Sequence, residues 1–73
     1  MTGNEFKEMR ILWGLRLDEI RGLLGYKTIG GYRYHEDGNR ELPIIFDIFF
    51  NYVNRYGLKE AKKEFKKRFK NNG

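Results

Sequence analysis

Apolar residues recur along this chain in steps of three and four, and glycine or proline interrupts them often enough to predict five short helices. Phe6, Met9 and Trp13 stand at helical spacing behind Thr2-Gly3-Asn4-Glu5, which has the S/T-x-x-E form of a capping box. There the Thr2 hydroxyl accepts from a free backbone N–H while Glu5 reaches back, and Gly14 offers a left-handed stop. A second helix is predicted over about residues 17–24, with Ile20, Leu23 and Leu24 facing inward and Gly25 ending it. Asp18 and Glu19 fall in its first turn, where carboxylates complement the helix dipole. A third runs from Thr28 to His35 with the Thr28 hydroxyl as its N-cap. Gly30-Gly31 is its weak point, since each glycine costs about 1 kcal/mol relative to alanine inside a helix. Asp37-Gly38-Asn39 is turn chemistry.

Pro43 suits the first turn of a fourth helix, where its missing N–H would be unsatisfied anyway. That helix runs to about Arg55 and contains Ile44, Ile45, Phe46, Ile48, Phe49, Phe50, Tyr52 and Val53. Gly57 separates it from a fifth, in which Leu58, Ala61, Phe65 and Phe69 mark one face. The fold expected is all-α, with helices 1–4 over residues 1–57 and a basic C-terminal helix and tail over 58–73 in the same single domain. The fourth helix is too apolar to be solvated all round, so either the fifth helix or a partner subunit covers its second face. Phe46, Phe49, Phe50, Tyr52 and Tyr56 are candidates for that core or for a homodimer seam, and the pattern does not divide them.

Length and charge narrow the picture. Seventy-three residues make one domain, which at this size buries only about 60% of its unfolded surface. Cysteine is absent, so neither a disulfide framework nor a thiolate metal site reinforces it. No apolar run approaches the roughly 20 residues that span a bilayer, and the N-terminus lacks the basic-then-apolar order of a secretory signal. A cytoplasmic protein without membrane attachment is expected. The net charge of +5 is concentrated at one end: residues 58–70 hold seven cations against two carboxylates, whereas the first 57 residues hold eight of each. That asymmetry suggests an anionic partner, although a charged helix face is also simply a solvated one.

Enzymatic chemistry finds no footing. His35 is the one histidine, without a second histidine or a cysteine to complete a metal site. Asp37-Gly38 reads as a turn, and Gly30-Gly31 alone is not a phosphate-binding loop. No enzyme activity, cofactor or metal is expected.

The segment Gly14-Leu15-Arg16-Leu17-Asp18-Glu19-Ile20-Arg21-Gly22-Leu23-Leu24-Gly25, followed by Glu36-x-Gly38-x-Arg40-x-x-Pro43, resembles the helix-turn-helix of Cro/C1-type repressors. Arg10-Ile11 before Trp13-Gly14-Leu15 resembles that family's end of helix 1, and the resemblance covers roughly residues 5–56. It departs from the family pattern in three places. Arg16 and Leu17 stand where the family usually has Ser or Thr and then Gln, Arg21 replaces a small residue, and the turn between Gly25 and Thr28 carries one extra residue.

The resemblance implies that helices 2 and 3 form a helix-turn-helix whose second helix reads double-stranded DNA in the major groove. It places Tyr32 inward, and Ile29, Gly30, Arg33 and Tyr34 where such proteins touch bases. Arg33 is the natural base reader, since arginine makes a bidentate contact to guanine worth about 1–3 kcal/mol of discrimination; a surface salt bridge for Arg33 and a core position for Tyr34 are the plainer alternatives. Arg16, Lys27, Thr28, Asn39 and Arg40 flank that helix as backbone contacts, which position the protein without specifying sequence. The same register pairs Arg10 with Glu36, joining helix 1 to the end of helix 3. The function implied is a small transcriptional regulator, a repressor of the kind phage and mobile elements carry, acting with or without a second copy of itself. The alternative from another class is a protein-interaction module whose aromatic fourth and basic fifth helices engage an acidic partner.

Overall fold

A computed structural model describes residues 1–38 and 40–68. Within them the chain forms five helices: α1 (Gly3–Leu12), α2 (Leu17–Leu23), α3 (Ile29–Glu36), α4 (Ile44–Tyr56) and α5 (Leu58–Arg68). Among the described residues the only strand-like feature is an isolated antiparallel bridge between Thr2 and Glu41. The protein is all-α. Asn39, Phe69 and Lys70, expected as a backbone contact, part of the fifth helix's apolar face and part of the basic tail, lie outside the described residues.

Local chemistry accounts for most of the boundaries. Thr2 and Glu5 close the capping box: the Thr2 amide donates to Glu5 Oε1 at 2.8 Å and the Glu5 amide donates to Thr2 Oγ1 at 3.4 Å. Gly14, Gly25 and Gly57 adopt φ of +75°, +82° and +93°, the left-handed region in which a side chain is strained. They end α1 and α2 and reverse the chain between α4 and α5. Two predicted ends shift slightly. Pro43 is the N-cap of α4 and not a residue of its first turn, because its ψ of 154° is extended. Helix α3 continues one residue past His35, with the Asp37 amide donating to the Arg33 carbonyl at 2.8 Å.

The core is a relay of aromatic rings. Phe6 of α1 meets Phe46 of α4 edge-on at 4.9 Å between centroids, and Phe49 of α4 meets Phe65 of α5 in the same way at 4.9 Å. Such pairs add about 0.5–1.5 kcal/mol to the burial of their area. Ile20, Leu23 and Leu24 from α2 and its end, with Leu15 and Leu42 from the loops, fill the space around them. Helix α5 packs Ala61 and Phe65 against α4 with no exposed surface, while Ile44 and Ile48 of α4 stay 73% and 37% exposed. Of the five undivided residues, Phe46 and Phe49 are fully buried, Phe50 and Tyr52 are partly buried against α1 and α5, and Tyr56 is 55% exposed.

One close approach was unannounced by the apolar pattern. Gly3, in the first turn of α1, is buried against the C-terminal end of α3. A methyl group there would overlap the His35 carbonyl oxygen and stand 2.6 Å and 2.7 Å from those of Gly38 and Glu36. The start of α1 is thus seated on the end of α3 by backbone contact.

Candidate nucleic-acid interface

Helix α3 begins where the Thr28 hydroxyl accepts from the Gly31 amide at 2.9 Å, satisfying one of the free donors of its first turn. Because successive residues advance by about 100°, Tyr32 and Glu36 fall on one side and Gly30 and Tyr34 on the other, with Arg33 on the flank and Ile29, in the first turn, within about 20° of Glu36. The inward side is anchored: Tyr32 has no exposed surface and stacks on Phe46 at 5.9 Å, and His35 packs beside Tyr26 and Phe46. Gly30, Arg33 and Tyr34 face solvent, Tyr34 62% exposed, and Ile29 is 42% exposed in the first turn. All four candidate base readers are exposed, spread over an arc of about 140° around the helix.

Charged neighbours shape that face. Arg33 Nη2 lies 3.4 Å from Asp37 Oδ2 one turn on, in an exposed pair that water screens. The Arg40 guanidinium lies over the Tyr34 ring, 4.1 Å from its centroid, and Arg40 Nη2 donates to the Tyr34 carbonyl. Arg40, expected as a phosphate contact, covers one side of Tyr34. Arg33 thus takes the surface salt bridge of the plainer reading, whereas Tyr34 does not take its core position. Lys27 and Thr28 are exposed at the helix entrance. Arg16 is 78% exposed at the N-cap of α2 and lies 3.3 Å from Asp18 Oδ1.

Behind the face, a buried network fixes the orientation of α3. Arg10 Nε donates to Glu36 Oε2 at 2.8 Å, Arg10 Nη2 to Glu36 Oε1 at 3.2 Å, and Tyr32 Oη to Glu36 Oε2 at 2.5 Å. Arg10 Nη1 also donates to the Leu15 carbonyl at 2.8 Å, tying in the α1–α2 loop. Among the described residues, no buried side-chain nitrogen or oxygen is left without a hydrogen-bond partner. The Glu36 bond holds the Arg10 guanidinium above its usual range, while burial and then the Glu36 carboxylate push the Tyr32 phenol well above its own.

Three relationships were not read from the sequence. Asp37 beside Arg33 was legible as an i,i+4 pair but was absorbed into the turn. Arg21 Nη1 donating to the Tyr26 carbonyl at 2.8 Å, which braces the long α2–α3 turn, has no sequence signal. Neither has Lys62 Nζ at 3.1 Å from Glu19 Oε2, joining α5 to α2 and holding the Glu19 carboxyl below its ordinary range.

No group of three His, Cys, Asp or Glu among the described residues is placed to hold a metal ion, and no helix there is long and apolar enough to cross a membrane. No family model, curated protein or solved structure matches the chain.

Proposed function

We propose that the protein is a small transcriptional regulator, a repressor, that binds double-stranded DNA with α3 in the major groove. The observation that carries this reading is the two-sided character of α3. One side is locked to the core through Tyr32 and the buried Arg10–Glu36 pair, and away from it Gly30, Arg33 and Tyr34 are exposed, with Ile29 exposed in the first turn. A firmly held helix with a solvent-exposed outer side is what groove reading requires. In this reading Arg33 leaves Asp37 for a guanine edge, Ile29 meets a thymine methyl, and Gly30 lets the backbone approach closely. Arg16, Lys27, Thr28 and Arg40 hold phosphates, and Tyr34 contributes a base or phosphate contact under the guanidinium of Arg40. Occupancy excludes polymerase from a promoter. A second copy would set two α3 helices about 34–36 Å apart on the duplex. No catalytic step is proposed.

The resemblance of residues 5–56 to Cro/C1-type repressors supports the same reading. The rival, an acidic protein bound by the aromatic face of α4, has less surface to work with, since Phe46 and Phe49 are fully buried.

The test is fluorescence anisotropy with the duplex flanking the gene and with a scrambled duplex, at 50 and 150 mM salt. Preference for the native duplex that survives at the higher salt is the expected result. Equal affinity for both, vanishing as salt rises, would reduce the interaction to counterion release and overturn the regulator.

A further inference from the structure

The cations of α5 are sorted by their place on the helix. Lys62 is turned toward α2 and paired with Glu19, and Arg68 lies 3.5 Å from Glu64 and 5.2 Å from the centre of the Phe65 ring. Lys59, Lys63, Lys66 and Lys67 are all exposed. At about 100° per residue they occupy an arc of roughly 100° opposite Ala61 and Phe65, the two residues that dock α5 on the core. Glu60 and Glu64 border that arc on one flank, and no apolar residue falls within it. Of the described residues, no other helix carries such a cluster.

We infer that this lysine stripe is a second contact surface for the phosphate backbone of duplex DNA, sequence-blind and held to the reading unit through Lys62 and Glu19. The inference rests on the proposal that α3 docks on duplex DNA. Four features favour this partner over others. From Lys59 to Lys67 the helix rises about 12 Å, and one DNA strand presents a phosphate about every 3.4 Å of axis, so the stripe matches three or four phosphates. Lysine is a point charge without the planar fork that reads base edges, which suits a surface that adds affinity and no sequence preference. The arc also lacks the apolar or aromatic anchors by which a helix enters a membrane surface or a protein interface. Residues 1–57 are electrically neutral, so long-range attraction to DNA must come from this helix and the residues after it.

The experiment compares the full chain with the variant Lys59→Gln/Lys63→Gln/Lys66→Gln/Lys67→Gln. Helicity is checked by circular dichroism, and binding to native and scrambled duplexes is measured from 50 to 200 mM salt. Each phosphate contact contributes about −0.9 to the slope of log K against log salt, so loss of three or four contacts makes the variant's slope shallower by about 2.7–3.6. The wild type then loses about 40–150-fold more affinity than the variant across that range. The ratio of native to scrambled binding is unchanged.

An unchanged slope with a folded variant overturns the stripe and leaves the α3 reading standing. A shallower slope with no preference between duplexes in either protein overturns the α3 reading and leaves the stripe as a non-specific surface. Absence of duplex binding by the wild type at 50 mM salt overturns both. Phosphatidylserine vesicles serve as the competing anion: displacement of duplex by vesicles at equal phosphate assigns the stripe to lipid and overturns the inference.

Discussion

Arg10 and Glu36 meet through two nearly parallel hydrogen bonds across 26 residues of sequence, with side chains only 10% and 2% exposed. A guanidinium and a carboxylate in this arrangement fix each other's orientation as well as their charge. The carboxylate also accepts from Tyr32, and the guanidinium also donates to Leu15, so one contact joins α1, the α1–α2 loop and both ends of the inward side of α3.

Removing one member strands the other. Arg10→Ala is expected to lose about 3–5 kcal/mol, because a buried carboxylate is left without its partner. Urea denaturation measures this from the shift in midpoint at constant slope. The variant Arg10→Met/Tyr32→Phe/Glu36→Leu, which removes the charges and the phenol together, is expected to keep much more stability than Arg10→Ala. A loss below about 1 kcal/mol for the single variant would show the pair to be dispensable.

Two glycines are expected to respond to alanine in opposite directions. Gly3→Ala forces a methyl into the carbonyl oxygens of His35, Glu36 and Gly38, so it should destabilise by about 1–3 kcal/mol despite the better helix propensity of alanine. At Gly30 a methyl meets nothing within 4 Å, so Gly30→Ala should stabilise by about 0.5–1 kcal/mol. Thermal unfolding of both variants checks the signs. Gly30→Ala should also weaken duplex binding if the backbone of α3 approaches DNA there.

Alkaline pH should unfold the protein through Tyr32. Its phenol ionises well above the ordinary value near 10 in the folded chain, whereas the unfolded chain ionises at that value. Above about pH 10 the unfolded state therefore binds fewer protons, and stability falls as pH rises. Below pH 10 both states keep the proton, and this contribution is fully present. Melting temperatures from pH 8 to 11.5 should decline above 10, and Tyr32→Phe should decline less steeply. Equal slopes would remove Tyr32 as the cause; Tyr26, whose pKa burial also raises, contributes with the same sign.

Arg33→Ala separates binding from folding. The exposed pair with Asp37 is worth little, so stability should change by no more than about 0.5 kcal/mol. Discrimination at one base pair of the preferred duplex should drop by about 1–3 kcal/mol, read by anisotropy with single-substitution duplexes. Full retention of discrimination would move the reading role to Tyr34 or Ile29.

The helices were legible because their causes are local. The Thr2–Glu5 box, the Thr28 cap and the left-handed Gly14, Gly25 and Gly57 lie within a few residues of the boundaries they set, and the step of three and four marked Ile20, Leu23 and Phe65 as inward. The sequence by itself determined an all-α chain of five helices and a cationic end. Tertiary structure decided which side of α4 meets α5, why Phe46 is sealed while Tyr56 is not, and that Lys62 faces α2 while Lys59, Lys63, Lys66 and Lys67 face water. It also decided that Arg40 folds onto Tyr34 and that Gly3 is pressed against the end of α3. Helical periodicity shows that a helix has two faces; which surface each face meets depends on contacts between residues far apart in the chain, and local spacing carries no record of those.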